Sequence, residues 1–238
     1  MTTKPDSRWI RIDTADGSFD AYLSLPPGGK QPGNPGIVLV QEIFGVNEHI
    51  RTVADQYAAD GYVVLAPDVF WRKAPRVELG YSGADWEKAM ALRTGVDLEA
   101  AVSDIGATAA ALRAEIGAGG KVAAVGYCFG GLLSYLAAAR GMVDAAVPYY
   151  GGGIQNHLHE AAALNVPVQF HYGALDKHIL PEHVEQVRQA VAGKRGTEVF
   201  VYDQADHGFN CWARASFHQR SAALAHGRAL TFLASALS

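Results

Sequence analysis

Short apolar runs, most of them closed by glycine or proline, alternate along this chain with longer stretches of helical spacing. Trp9-Ile10-Arg11-Ile12 and Phe19–Leu25 alternate apolar and polar residues around Asp16-Gly17, which predicts a β-hairpin. Pro26, Pro27, Gly28, Gly29 and Pro32–Gly36 then form a loop. Ile37–Val40 and Tyr62–Ala66 are uninterrupted apolar runs of the kind buried on both faces of a sheet. Between them Glu48–Asp60 reads as a helix stopped by Gly61. Asp97–Ile116 carries Leu98, Val102, Ile105, Ala109 and Leu112 near helical spacing and ends in Gly117, Gly119 and Gly120. A strand at Val122–Val125 follows, then a turn and an alanine-rich helix from Leu132 to Ala139. Further strands are expected at Ala145–Tyr150, Val166–Tyr172 and Glu198–Tyr202, with helices at Glu182–Val191 and Phe217–Leu237.

This strand–helix rhythm predicts an α/β fold, a mainly parallel central sheet with helices on both faces, in a single domain over residues 1–238. Residues 69–96 break the rhythm. They mix Trp71, Arg72, Lys73, Pro75, Arg76, Tyr81 and Trp86 with glycines, around a short helix at Trp86–Leu92. Such an excursion is either a lid or substrate-binding loop, or a plain surface crossover. Hydrophobic residues make up 49% and charged residues 18% of the 238, so the chain is globular. Its formal net charge of −4 offers nothing to nucleic acid or anionic lipid. Val122–Ala139 is long and uncharged, but Gly126, Gly130 and Gly131 favour a buried strand and helix over a membrane span. The N-terminal residues contain no apolar leader core. Two cysteines, Cys128 and Cys211, make no disulfide framework, and a reducing cytoplasm fits them.

Parallel sheets place ligands beyond the carboxyl ends of their strands. Glu42, Cys128, Asp176 and His207 all lie just past a predicted strand. Gly126-Tyr127-Cys128-Phe129-Gly130 joins a strand to a helix and has the form Gly-x-nucleophile-x-Gly. A thiolate there has a helix N-terminus behind it, which stabilises negative charge. The alternative is a buried structural cysteine beside a packing turn. His207 is the candidate proton carrier, and Asp176 the group that holds its imidazole in one tautomer. Asp203 and Asp206 are rivals for that task, but so close to His207 in sequence they cannot easily reach the far side of its ring. The order nucleophile, acid, histidine is that of α/β-hydrolases. His157-Leu158-His159-Glu160 lacks converging ligands for a metal, no phosphate-binding glycine motif follows the first strands, and no cofactor is expected.

Together these motifs make the chain similar to the dienelactone hydrolase family, of the carboxymethylenebutenolidase type. Val40–Asn47 resembles that family's signature after its first central strand, Gly126–Gly131 its cysteine elbow, and Tyr149–Gly151 and Ala205–Phe209 two further motifs. The resemblance runs from about Gly17 to the last helix. It implies cleavage of a small ester or lactone by a Cys-His-Asp triad. It also implies that Glu42 helps generate the thiolate when substrate binds, and that the backbone N–H groups of Phe129 and Ile43 form the oxyanion hole. Trp86, Arg93 and Tyr149 are the candidate substrate-binding residues, and the protein is expected to be a monomer or homodimer. The chain also departs from the pattern. Members acting on dienelactone carry an arginine one turn beyond the histidine, where Cys211 stands here, and a lid arginine followed at helical spacing by a tyrosine and a tryptophan, where this chain has Trp86, Met90 and Arg93. Arg93, Arg214 and Arg72 are possible replacements. A general carboxylesterase or thioesterase acting on neutral substrates is therefore the second reading, and a non-catalytic binding protein the third.

Overall fold

The computed structural model describes residues 4–31, 33–117 and 119–238. Met1–Thr3, part of the stretch read as lacking a leader, and Pro32 of the early loop lie outside them. The chain forms two compact units, Met1–Val122 and Ala123–Ser238.

In the first unit, β1 (Asp6–Thr14) and β2 (Gly17–Leu25) form the expected hairpin, antiparallel from Asp6↔Leu25 to Thr14↔Gly17. Strand β2 pairs antiparallel with β4 (Val63–Pro67), and β4 pairs parallel with β3 (Gly36–Val40). Every residue of β3 and β4 is buried, so both faces of these strands are covered. Helix α1 (Glu48–Ala59) packs on β2 and β4, and α3 (Leu98–Ile116) packs on β1, β3 and β4. Both helices start on capping side chains. Asn47 Oδ1 accepts from the Ile50 N–H at 3.2 Å, and Asp97 Oδ1 from the Ala100 N–H at 3.1 Å.

In the second unit, β5 (Val122–Tyr127, opening at the unit boundary), β6 (Ala145–Tyr149), β7 (Gln169–Gly173) and β8 (Glu198–Tyr202) lie side by side, all parallel. Strands β5 to β7 are buried throughout, while β8 is half exposed. Helix α4 (Phe129–Ala139) packs on β6, and α6 (Gln219–Ala236) on β6 and β7; α5 (Pro181–Ala190) packs on a 3-10 segment, Ile154–Ala163. Among the described residues no helix is long and apolar enough to cross a membrane.

The mainly parallel, helix-covered strands match the expected class. The differences are local. The excursion contains a longer helix than expected, α2 (Gly83–Thr94), and the 3-10 segment was not expected at all. Strand β7 starts at Gln169 rather than Val166. Pro167 has no N–H to give a ladder, and Val168 makes only an isolated bridge to Ala146.

Candidate active site

The second unit brings three of the sequence-derived residues together. Strand β5 runs into α4 through Cys128, whose φ of 54° and ψ of −112° lie outside the regions open to ordinary side chains. Such a conformation costs about 1–3 kcal/mol and persists only where its surroundings impose it. Here the Cys128 N–H donates to Tyr149 O at 3.0 Å, and its carbonyl accepts from the Gly131 N–H at 3.0 Å. Gly126 allows the turn to close, since a Cβ at that position would run into Gly130 O and Ser134 Oγ. The thiol is partly exposed, and Phe129 opens α4 directly behind it, at the positive end of the helix. Cys211, by contrast, is fully buried.

Asp176 follows β7 and His207 follows β8, and main-chain bonds join the two loops. Ala174 N–H donates to Tyr202 O at 3.0 Å and Leu175 N–H to Ala205 O at 2.9 Å. His207 Nδ1–H donates to Asp176 Oδ2 at 2.7 Å, which leaves Nε2 for the hydrogen bond to Cys128. Asp176 Oδ1 accepts the N–H groups of His178 and Ile179 at 2.8 and 3.0 Å, so the carboxylate is held on both oxygens. Burial pushes the Asp176 carboxyl up, but the His207 hydrogen bond and charge and these two N–H groups outweigh it and hold the group below its usual range. Burial also disfavours the His207 imidazolium, yet attraction to Cys128 and the bonds to Asp176 and Cys128 win, pushing it up to about 10. These surroundings thus favour the protonated imidazole of His207. Asp206 does not compete for the ring, because its Oδ1 accepts the His207 main-chain N–H at 2.6 Å.

Two neighbours of His207 carried no assigned role in the sequence. Tyr150 lies 5.1 Å from the imidazole between ring centroids, and exposed His178 meets it edge-on at 5.4 Å and 81°. Tyr150 directly follows β6 and falls within the Tyr149–Gly151 motif, whereas His178 lies further along the loop after β7 and carried no signal. Tyr149 is fully buried, stacked on His171 at 4.5 Å, and meets the elbow through its carbonyl.

The remaining candidates belong to the first unit. Glu42 is 2% exposed and Ile43 6%, both just past β3. Main-chain and side-chain bonds stitch this loop to the excursion: Leu79 N–H donates to Phe44 O at 3.0 Å, Val69 N–H to Gln41 Oε1 at 3.3 Å, and Asn47 Nδ2 to Leu79 O at 3.1 Å. Gly45, at φ 81°, sits against the Val77 carbonyl, where a Cβ has no room. Half-buried Trp86 packs on Phe44 at 5.7 Å, and Tyr81 does so at 4.6 Å. Arg93 is half-buried near the end of α2. Arg72 is committed elsewhere. It binds Asp104 at 2.5 and 3.0 Å and Asp16 at 2.7 Å, and lies over the Trp71 ring at 4.2 Å. In the second unit, Glu160 of the histidine-rich stretch is held by Arg140 at 2.8 Å rather than turned to a metal.

The sequence model of the dienelactone hydrolase family matches residues 19–237. The carboxymethylenebutenolidase of Pseudomonas putida is 36% identical over 228 residues, covering 94% of this chain and 95% of its own. A crystal structure from Klebsiella pneumoniae, of a protein assigned as a dienelactone hydrolase, superposes with a TM-score of 0.85 at 31% identity, over 97% of this chain and 98% of that one. An esterase from Pyrococcus furiosus, 16% identical, shares the fold with a TM-score of 0.72 over 98% and 94% of the two chains. With this agreement across nearly its whole length, the chain belongs to the dienelactone hydrolase family of ester- and lactone-cleaving α/β-hydrolases.

Proposed function

We propose that the protein hydrolyses a small ester or lactone through Cys128, His207 and Asp176, and that its preferred substrates are neutral or weakly polar. The observation that carries the first part is the Cys128–His207–Asp176 array past the ends of β5, β8 and β7, with the Nδ1–Oδ2 bond of 2.7 Å. The Cys128 thiolate attacks the carbonyl carbon, and the oxyanion forms at the start of α4, on the Phe129 N–H. The family resemblance supplies the Ile43 N–H as a second donor. His207 imidazolium protonates the departing alkoxide, leaving a thioester on Cys128 and a neutral ring. The ring then takes a proton from water, the hydroxide attacks the thioester, and the carboxylic product leaves with Cys128 restored. Asp176 keeps Nδ1 protonated throughout.

Glu42 also takes its role from the resemblance, as the base that helps generate the thiolate on substrate binding. Its burial at a strand end fits a group kept out of bulk water. Glu42→Gln should lower kcat by roughly two powers of ten with little loss of stability. Wild-type rates in that variant would leave His207 as the only base.

The second part rests on charge. Burying an unpaired carboxylate is costly, so a site for an acidic lactone needs a cation. The family position beyond the histidine holds buried Cys211, and Arg72 is already bound to two carboxylates. Both findings favour the second reading of the sequence, a carboxylesterase or thioesterase acting on neutral substrates. The deciding experiment is turnover of an activated ester and a panel of lactones, esters and thioesters by wild type and Cys128→Ala. Turnover surviving in Cys128→Ala would remove the cysteine from the mechanism.

A further inference from the structure

One buried titratable group has no part in this mechanism. His171, in β7, is fully buried, and burial, with Arg228 adding to it, pushes its imidazolium down to about 3, so the ring is neutral. Both ring nitrogens are engaged. Nδ1 lies 2.8 Å from Tyr202 Oη and Nε2 3.0 Å from Gln169 Oε1. Gln169 Nε2 donates to Glu198 Oε2 at 2.6 Å, so its Oε1 is the acceptor. His171 therefore carries its proton on Nε2 and accepts from the Tyr202 hydroxyl at Nδ1, and the network fixes one tautomer.

Two strained residues stand at the strand ends beside it. Cys128 and Tyr150 are non-glycine residues at φ 54° and 37°. Each is tied to the next strand by one main-chain bond: Cys128 N–H to Tyr149 O at 3.0 Å, and Tyr150 N–H to His171 O at 2.7 Å. The Tyr149 ring lies on the His171 ring at 4.5 Å and 21°, and the Tyr150 ring supports His207. Strained conformations persist only where neighbours over-determine them.

We propose that His171 is a positioning residue for the reaction. Its carbonyl and its stacked, tautomer-locked ring hold the Tyr149-Tyr150 turn, and through that turn the alignment of Cys128 with His207. The inference rests on the reading of Cys128 and His207 as nucleophile and base. A misplacement of about an ångström at such a pair costs up to roughly a hundredfold in rate.

The test compares wild type, His171→Phe and Tyr202→Phe. The first keeps a flat ring under Tyr149 and removes both hydrogen bonds. The second leaves His171 in place and removes one. Each is measured for kcat and KM and for the pH profile of iodoacetamide alkylation at Cys128. His171→Phe should lower kcat roughly tenfold to a hundredfold with KM within about threefold, and move the alkylation profile to higher pH as His207 loses its hold on the thiolate. Tyr202→Phe should do the same to a smaller extent. Folded variants with a lower Tm but unchanged kcat and alkylation profile would overturn the proposal and leave His171 a packing residue. If His171→Phe does not fold, Tyr202→Phe decides alone. The wild-type control separates the two readings: turnover that survives full alkylation of Cys128 refutes the nucleophile, not the support beneath it.

Discussion

The loops that carry Cys128, Asp176 and His207 and the excursion from Val69 to Val96 are both irregular chain, but they are held differently. The first are fixed by backbone. A Cβ at Gly126 or Gly173 would strike a neighbouring carbonyl, and the acid and histidine loops are joined by main-chain bonds such as Leu175 N–H to Ala205 O. The excursion is fixed largely by side chains: Arg72 on Asp104 and Asp16, Asp68 accepting the Phe70 and Arg76 N–H groups, and Trp86 on Phe44. Main-chain anchoring survives most side-chain exchange and suits the invariable part of a reaction. Side-chain anchoring changes with sequence and suits selectivity. The first region should therefore answer to mutation in rate, the second in stability and substrate choice.

The largest expected effect separates two aspartates of the first region. Asp176→Asn keeps the shape but loses the charge, and its single acceptor oxygen cannot serve both His207 Nδ1–H and the His178 and Ile179 N–H groups, so it should lower kcat by roughly four powers of ten. Asp206, whose carboxylate among the described residues accepts a main-chain N–H and no side chain, should on change to Asn alter kcat by less than about threefold. Steady-state kinetics of the two variants checks this, and equal effects would collapse the assignment of the acid.

The excursion should respond in the opposite way. The Asp104 side chain is 2% exposed and that of Arg72 is 29% exposed. Arg72→Met would strand a buried carboxylate that, among the described residues, retains the Trp71 indole N–H at 2.8 Å and no cation. The loss should be about 2–3 kcal/mol in urea melts, below the full cost for a wholly buried pair because Arg72 reaches water. kcat on a small neutral ester should stay within about twofold. A large fall in kcat without destabilisation would break the division between the two regions.

Substrate charge comes next. An arginine–carboxylate bond is worth about 1.5–3 kcal/mol, so its absence lowers kcat/KM for an acid by roughly one to two powers of ten. A carboxylated lactone should therefore match or fall below its methyl ester. A strong preference for the free acid that weakens with salt would reveal another cation.

The smallest effect is in pH. The two histidines pull oppositely. His207, raised to about 10, contributes stability that is fully present below about 6.5 and is lost as pH rises through its folded value. His171, lowered to about 3, binds its proton in the unfolded chain first, so stability falls as pH drops below about 6.5. Asp176, held low, adds a further loss only in stronger acid. Stability should peak near pH 6–7. Between about pH 6.5 and 4.5 this gives a loss of roughly 2 kcal/mol that His171→Phe should abolish. An unchanged acid slope in that variant would place the titrating group elsewhere.

Much of this was legible in the sequence, where one periodicity dominated. The buried strands are uninterrupted apolar runs, and the elbow, Asp176 and His207 each follow one. Helix α2 was only partly visible because its sole buried residue is Ala89, so no apolar stripe marks it. Strand β1 extends to Asp6 and Thr14 through charged residues on its solvent side, where alternation gives no boundary. The Arg72–Asp104 pair and the edge-on His178 depend on chain folding over many residues, and spacing carries no trace of them. Among Asp176, Asp203 and Asp206, the reach of the side chains favours Asp176 already in the sequence, and the structure has His207 Nδ1 2.7 Å from Asp176 Oδ2.

The central claim is that Cys128 is the nucleophile. Its most direct test is a time course of iodoacetamide labelling, with site occupancy read by mass spectrometry against residual turnover. Partly exposed Cys128 should be labelled first, buried Cys211 much later, and activity should fall in proportion to Cys128 occupancy alone. Full occupancy at Cys128 with turnover intact would contradict the account.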